Sequence, residues 1–411
     1  MDSAKKLNAP VLGIVTIGYN RADSMNRLLN RLNDCDYPCG DVPLVISLDN
    51  CGKDDVFALA ERFDWKHGEK RVIHQPERLG LRKHILKCGT YMTEFGWDAQ
   101  IVLEDDVYPA SAFYHFAMQA VERYEADDRI AGISLYNMPQ NQTAVLPFSP
   151  IASPYDTFFM QLAQSWGQVW MKRQWQAFVD WYAAHSEPFK SCPGVPDNVC
   201  RWPESSWLKY HIRYCIEQDK LFVYPYQSLT TCFSDAGSHT ARKSNVLQVA
   251  LQQRAKTRYA FPEPEEAVIY DAWSENTRLA EVLKLPAEEL CVDLYGKKRN
   301  RQKRRYILTM ESLPYQVLQS FALELTPMEA NVICNLRGKD IFLYDTAKPA
   351  QRPAVQDPDL RFWSFYNRII YPDPIIRKLA KPIEREIWKN RLKTLSKPKW
   401  LLRKLKHRLK H

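Results

Sequence analysis

With 411 residues, 45 % of them apolar and 12 % aromatic, the chain is too long and too apolar for a disulfide-stapled miniprotein or a disordered segment. It has room for two or three domains. The formal charge of +9 is uneven: residues 377–411 hold 14 Lys or Arg against two acids, a net of +12, so the preceding 376 residues sum to −3. The basicity belongs to the tail. The N-terminus lacks the charged-then-apolar pattern of a signal peptide, and no stretch reaches the roughly 18 uninterrupted apolar residues that a spanning helix needs. Ten scattered cysteines without a C-x-x-C pair argue against a zinc cage and for reduced thiols in a cytosolic setting.

Val11–Asn20, "VLGIVTIGYN", is rich in β-branched residues and ends in turn formers, so it reads as a buried strand. Met25, Leu28, Leu29 and Leu32 follow at helical spacing. Val42–Asn50 is a second strand, followed by a helix over Asp55–Arg62. "KRVIHQ" is a third strand, "LRKHILKCGTYMTEFG" a helix closed by Gly96, and "AQIVLEDD" a fourth strand. Alternation of this kind predicts an α/β fold, a mostly parallel sheet with helices on both faces. Ligands of such sheets bind beyond the carboxyl ends of the strands. Asn20, Asp49, Asp105 and Asp106 all fall at predicted strand ends.

Residues 130–240 are less regular and aromatic. In "SWGQVWMKRQWQAFVDWY", Trp166 and Trp170 stand four apart, which places them on one helical face; most of its four tryptophans read as core, one or two as contacts to an acceptor. Residues 241–290 read as helical, "KKRNRQKRR" (297–305) as a solvated charge run, and "GKDIFLYDT" as one more strand. These divisions predict a domain over 1–245, a smaller α+β accessory region over 246–350, and a linker with a basic tail over 351–411. In the tail, Ile383, Ile387, Leu392 and Leu395, then Leu402, Leu405 and Leu409, form apolar stripes opposed by Lys and Arg. A basic amphipathic helix suits an anionic membrane surface, with nucleic acid or the protein's own surface as the competing partners.

Glu104, Asp105 and Asp106 raise a charge problem. Three adjacent carboxylates after a buried strand need water or a cation. A solvated turn capping the next helix is one solution. The other is a hard divalent ion, Mn2+ or Mg2+, which is held by one or two carboxylates plus substrate phosphates. The turn after the first strand has only Gly18, so a G-x-G-x-x-G dinucleotide site is excluded.

Five segments, "GYNRADSMNRLLNRL", "LVISLDNCGKDD", "HQPERLGLRKHILKCGTYM", "IVLEDDVYPASAFYHF" and "SWGQVWMKRQW", occur in an order that resembles the inverting nucleotide-sugar glycosyltransferases of the GT-A fold. The resemblance spans roughly residues 11–240. It is nearest to the N-acetylglucosaminyltransferase type with Glu-Asp-Asp in place of Asp-x-Asp. "TPMEANVICNLRGKDIFLYDT" is similar to bacterial members that build surface polysaccharide.

The resemblance implies a UDP-sugar donor and roles by position. Asp106 is expected on the metal, with Glu104 and Asp105 near ribose or metal-bound water. Asn20, Arg21 and Asp49 are expected on the nucleotide, and His84 facing the base. Asp49 could instead cap a helix, Arg21 lie on the surface, and His84 be a packing residue. His239, in "FSDAGSHT", is expected at the phosphates or metal. Glu204 is the first candidate for the base that takes the acceptor's proton, with Asp219 and Glu217 behind it. The match falters there, because Ser205, Ser206 and Leu208 flank Trp207 where the family carries its acid. The expected acceptor is a lipid-linked glycan at the inner face of the plasma membrane, with nucleic acid disfavoured as a partner. A degenerate, non-catalytic binding protein docked by its tail is the second reading.

Overall fold

The computed structural model describes residues 10–38, 40–236, 245–253, 256–299, 301–355 and 357–370, and six isolated positions between 374 and 388. The first part alternates as expected: β1 (Leu12–Gly18), α1 (Ala22–Asn33), β2 (Leu44–Leu48), α2 (Asp55–Arg62), β3 (Lys70–His74), α3 (Leu81–Gly89), α4 (Tyr91–Glu94) and β4 (Ala99–Glu104). Next come β5 (Val107–Pro109), α5 (Phe113–Tyr124), β6 (Ile130–Ser134) and a small hairpin, β7 (Gln140–Asn141) with β8 (Leu146–Pro147). Then follow β9 (Thr157–Met160), β10 (Gln168–Met171), α6 (Lys172–His185), α7 (Asp197–Cys200), α8 (Leu208–Glu217), β11 (Leu221–Pro225), β12 (Thr230–Cys232) and β13 (Ile269–Tyr270).

Among the described residues, nine strands form the larger sheet, in the order β13-β9-β11-β6-β10-β4-β1-β2-β3. β1 runs parallel to β2 and β4, and β2 to β3, in a register that sets Gly18 beside Leu48 and Ile17 beside Glu104. The turns after β1, β2, β3 and β4 therefore open on one edge. β10 is antiparallel to β4, with Gln168 beside Val102, so the loop before β10 opens on that same edge. The side-chain alternation of β1 fills two cores. Leu12 and Ile14 pack with Met25, Leu28 and Leu29 of α1 and with α5 on one face. Val15 and Ile17 pack with Ile85 of α3, Trp175 of α6 and Tyr210 of α8 on the other.

Three local readings change. Trp170 lies on strand β10, not on a helix with Trp166, because Gly167 turns the chain at φ +99 between them. Its ring stacks on Trp175 at 3.7 Å between centroids, as core. The described part of residues 241–290 has little helix: β13 adds an edge strand to the sheet and α9 (Leu279–Leu283) is a single short turn. Residues 297–305 are only partly the expected solvated run: Arg299, Lys303, Arg304 and Arg305 are exposed, whereas Lys298 and Arg301 are drawn in by acids. Lys298 donates to Asp271, Arg299 pairs with Asp197, and Arg301 bridges Asp293 and Glu311.

That cluster joins the larger sheet to a second one, β14 (Leu290–Asp293), β15 (Tyr306–Thr309), β16 (Tyr315–Phe321) and β17 (Ile341–Pro349), ordered β14-β15-β17-β16. α10 (Ala330–Ile333) and α11 (Pro358–Ile370) follow, and α11 seats Phe362 and Tyr366 in the second core. The expected apolar stripes, from Ile383 and Ile387 through Leu409, lie outside the described residues.

His211 of α8 is wholly buried among Trp175, Phe178, Trp207 and Phe222, and stacks on Phe178 at 4.2 Å. Neither ring nitrogen has a hydrogen-bond partner among the described residues. Burial pushes its pKa down to about 3 from 6.5. The folded state thus holds His211 neutral where the unfolded chain would be protonated, so stability falls as pH drops from 6.5 toward 3. This single group costs about 2 kcal/mol at pH 5 relative to pH 7. His211→Phe keeps the ring and removes the titration. Denaturant melts at pH 7 and pH 5 should show the variant losing less stability than the parent by that amount.

Candidate functional site

The carboxyl edge of β4 carries the acidic triplet, and Arg21 faces it from the turn between β1 and α1. Arg21 forks onto Asp105: its Nε donates to Oδ2 at 3.1 Å and its Nη2 to Oδ1. Nη1 donates to Asp106 Oδ2 at 3.1 Å and to the Asp235 carbonyl at 3.1 Å. Four of its five N–H groups are thereby engaged. Burial lowers Arg21's pKa, but its bonds to both carboxylates outweigh that and hold it above its ordinary value. Asp105 and Asp106 are buried, and Glu104 keeps part of its surface exposed. Burial, then Asp106 and Asp105, push the Glu104 carboxyl up to about 8, with Arg21 opposing. Burial also raises Asp105 to about 6 against the pull of Arg21.

A second clasp lies alongside. β12 pairs antiparallel with β5, and the Phe233 N–H donates to the Asp106 carbonyl at 2.9 Å. Asp235 accepts from Ser24 Oγ at 2.8 Å and from Arg27, and the Arg27 guanidinium lies 3.9 Å over the Phe233 ring. Residues 233–236 are therefore tied to α1 next to Arg21. Ser24, Arg27 and Asp235 escaped the sequence reading. Their signal was the i, i+3 spacing of Arg21, Ser24 and Arg27 on one helix face.

Asp49 and His84 are engaged by the protein itself. Asp49 accepts backbone N–H bonds from Asn50 at 3.0 Å, Leu79 at 2.8 Å and Gly80 at 2.9 Å, which ties the β2 turn to the start of α3. His84 is buried. Its Nε2 lies 2.8 Å from Ser47 Oγ, in a network with Tyr91 and Gln75. Burial lowers its pKa to about 4, with Asp49 opposing, so it is neutral at pH 7. Asn20 is exposed in the β1 turn, and Arg78 lies 5.2 Å over the Tyr19 ring beside it.

Of the base candidates, Glu204 precedes α8, next to the start of α3. It accepts from Lys209 Nζ at 3.2 Å and Tyr210 Oη at 3.0 Å, and Arg82 of α3 donates to that same Tyr210 oxygen at 2.9 Å. Burial raises Glu204, but Lys209, Tyr210 and Arg82 outweigh it and hold the carboxyl below its ordinary value. Asp219 does not join the triplet, which corrects that expectation. It precedes β11, which runs parallel to β6, so it stands at the amino edge of the sheet, bonded to Gln161 at 2.7 Å. Chain order concealed this, because α8 carries the chain from one edge to the other. Glu217, the last residue of α8, is bound to Arg213 at 2.7 Å. His239 lies outside the described residues.

Next to the β5–β12 ribbon is a cavity of about 300 Å3. The loop before β10 forms one wall with Gln164, Ser165 and Trp166, and Trp202 and Leu208 face it. Gly167 lets this loop turn against Thr230, whose hydroxyl donates to the Trp166 carbonyl at 2.6 Å; a Cβ on Gly167 would sit 2.8 Å from that side chain. None of the described lining residues is charged.

The donor set fits one divalent ion held partly by substrate. Asp106 Oδ1 accepts no bond from described residues, and Glu104 is an uncompensated neighbour. Among the described residues no group of three His, Cys, Asp or Glu side chains converges into an all-protein cage. Mg2+ and Mn2+ are usually held by one or two carboxylates with phosphates and water as the other ligands, so Asp106 and Glu104 are the residues that would hold such an ion.

No protein-family model matches this chain, and no curated protein matches it. Solved structures do. It is similar to the mannosyltransferase PcManGT from Pyrobaculum calidifontis in complex with GDP-Man and Mn2+, at 13 % identity over 47 % of this chain and 51 % of that one, with a TM-score of 0.32. It is similar to S. aureus TarS 1–349 in complex with UDP-GlcNAc, at 12 % identity over 56 % and 60 %, TM-score 0.36. GalNAc-T7 with UDP, GalNAc and Mn2+ matches at 13 % identity over 54 % and 43 %, TM-score 0.37. The chain thus spans about half the length of these structures.

Asp49→Ala would leave the amides of Asn50, Leu79 and Gly80 without their acceptor. We expect a loss of about 1–3 kcal/mol and faster hydrogen exchange at Leu79 and Gly80 by mass spectrometry. Unchanged exchange at both amides would show that the carboxylate does not hold this junction.

Proposed function

We propose that this protein is a metal-dependent glycosyltransferase that moves a sugar from a UDP-sugar to a glycan acceptor with inversion. One observation carries the reading. The turns that bear Asn20, Arg21, Asp49 and the Glu104–Asp106 triplet open on one edge of a parallel sheet, beside a cavity whose described lining includes Trp166 and Trp202. A nucleoside and its diphosphate need the first group of residues, and a sugar ring needs the second.

Each part has a role in this reading. The backbone around Tyr19–Arg21 and Asp49–Gly80 borders the nucleoside. Arg21 balances the charge of the acids until a diphosphate arrives, and then offers its N–H groups to phosphate oxygens. Asp106, with Glu104, would hold a divalent ion. When bound, the ion offsets the negative charge that builds on the departing diphosphate. The residues 233–236, tied to Ser24 and Arg27, keep Arg21 and Asp106 in register. Glu204 is the base candidate that remains near this edge. Lys209, Tyr210 and Arg82 keep it ionised, able to take the proton of an acceptor hydroxyl.

A lipid-linked acceptor at an anionic membrane surface completes the proposal. Its support is the basic amphipathic pattern after residue 377, in which Trp388 is 63 % exposed. No helix of the described residues is long and apolar enough to cross a membrane.

Asp106→Asn is the direct test. Titration calorimetry with UDP, with and without Mn2+, should show Mn2+-dependent binding in the parent. The substitution should weaken it by at least the roughly 10–100-fold that loss of an outer-shell metal partner costs. Sugar transfer should fall with it. Survival of both would refute the catalytic reading and favour a binding protein.

A further inference from the structure

We infer that Tyr210 is a positioning residue of this site: oriented by Arg82, its hydroxyl aims the Glu204 carboxylate and ties it to the turn that carries Asp49. The inference rests on the assignment of Glu204 as base, and adds the residues through which the nucleotide edge reaches that base.

Glu204 is held by both oxygens and is still open. Lys209 Nζ donates to Oε1 at 3.2 Å and Tyr210 Oη to Oε2 at 3.0 Å. The side chain keeps 40 % of its surface exposed, so lone pairs remain for an acceptor hydroxyl. Lys209 is wholly buried, and its other two N–H groups go to the carbonyls of Phe189 at 2.9 Å and Trp202 at 3.2 Å. It is a fixed post, committed to backbone. Tyr210 differs. Its ring is locked, buried edge-on against Tyr182 at 5.2 Å and Phe189 at 5.4 Å between centroids. Its hydroxyl, however, faces two acceptors, Glu204 Oε2 and the Glu187 carbonyl at 3.5 Å.

Arg82 makes that choice one-sided. Its Nη1 donates to Tyr210 Oη at 2.9 Å. An oxygen that accepts from a guanidinium gives its own proton more strongly, and the closer, charged acceptor is Glu204. Burial, then the bond to Glu204, push the Tyr210 phenol up to about 12 with Arg82 opposing, so the proton stays on Tyr210 at neutral pH. Arg82 stands in the first turn of α3, two residues past Gly80, and Asp49 binds the amides of Leu79 at 2.8 Å and Gly80 at 2.9 Å. One carboxylate, one helical turn, one guanidinium and one phenol thus connect the β2 turn to Glu204. The titratable groups that bear on Glu204 are Lys209 and Tyr210 from α8 and Arg82 from α3, with Tyr182 of α6 behind the Tyr210 ring.

The test uses the full chain with Mn2+ and follows hydrolysis of UDP-N-acetylglucosamine or UDP-glucose, whichever the parent cleaves faster, with water in place of the acceptor hydroxyl. UDP calorimetry confirms that each variant is folded. Glu204→Gln should lower kcat by the roughly 100–10,000-fold that a general base contributes. Tyr210→Phe should lower it by about 10–100-fold through misplacement, with KM within about twofold. It also removes a bond that favours the carboxylate, so the acid limb of the pH profile should move up by roughly half a pH unit. Arg82→Gln should lower kcat in the parent, Arg82→Lys should restore most of the loss, and Arg82→Gln should add little to Tyr210→Phe, because it acts through the phenol. An unmoved kcat and acid limb in Tyr210→Phe, or an Arg82→Gln effect as large in the double variant as in the parent, overturns the inference. Full activity of Glu204→Gln, or no hydrolysis by the parent, overturns the reading it rests on instead. In that event 13C NMR of the Glu204 carboxyl, identified by its loss in Glu204→Gln, decides the contact alone: a titration raised by Tyr210→Phe sustains it, and an unmoved one refutes it.

Discussion

Arg21 facing Asp105 and Asp106 across the end of the parallel sheet is the contact on which the site depends. A run of three carboxylates beside a buried strand needs water, a cation or protonation to relieve its repulsion, and here Arg21 is the cation. The β1–β4 register fixes where those carboxylates stand, and the short turn into α1 delivers the guanidinium to them. The fork onto Asp105, the single bond to Asp106 and the bond to the Asp235 carbonyl leave one Arg21 N–H without an acceptor among the described residues. A diphosphate that approaches competes with the acids for Arg21. A divalent ion that approaches competes with Arg21 for the acids. A cation and an anion that enter together leave the charge of the site least changed, which is the physical link between the donor and the metal in the proposed reaction.

Much of this first half was legible in the sequence because its signals are local. Buried strands are continuous apolar runs, and α1 announces itself through Met25, Leu28, Leu29 and Leu32. Strand ends then locate Asp49 and the triplet without knowledge of any tertiary contact. What local pattern could not supply is the partner of each polar group. Asp49 fits a nucleotide ligand or a cap equally well by position, and only the fold reveals the amides of Leu79 and Gly80 at its oxygens. His84 likewise becomes a packing residue once Ser47 and Tyr91 are seen around it.

The misreadings share a cause. Trp166 and Trp170 satisfied a helical spacing, but a glycine at positive φ lies between them and the chain turns there into a strand. Asp219 stood behind Glu204 as a candidate base, but α8 lies between the two (Leu208–Glu217). A helix that crosses a sheet moves its two ends to opposite edges. Within the basic run 297–305, Lys298 and Arg301 looked as solvated as the exposed Arg299, Lys303, Arg304 and Arg305, because a run of like charge does not show which of its members meet Asp271, Asp293 and Glu311. Composition shows a charge, while its neutralisation is a property of the fold.

That basic run also gives the second sheet a function that its distance from the triplet conceals. Buried ion pairs add little net stability, since desolvation consumes most of their attraction, but they penalise every misaligned arrangement. Lys298 on Asp271 and Arg301 between Asp293 and Glu311 thus set how the second sheet meets the first. The β7–β8 hairpin spans that junction. Its Leu146 packs into the core of the second sheet, its Asn141 donates to the Trp273 carbonyl at 2.8 Å, and Gln142 between them lines the cavity. A shift of the second sheet would therefore move a wall of the pocket. On this argument the accessory region bears on the cavity through position, by holding the hairpin that carries Gln142 on its wall.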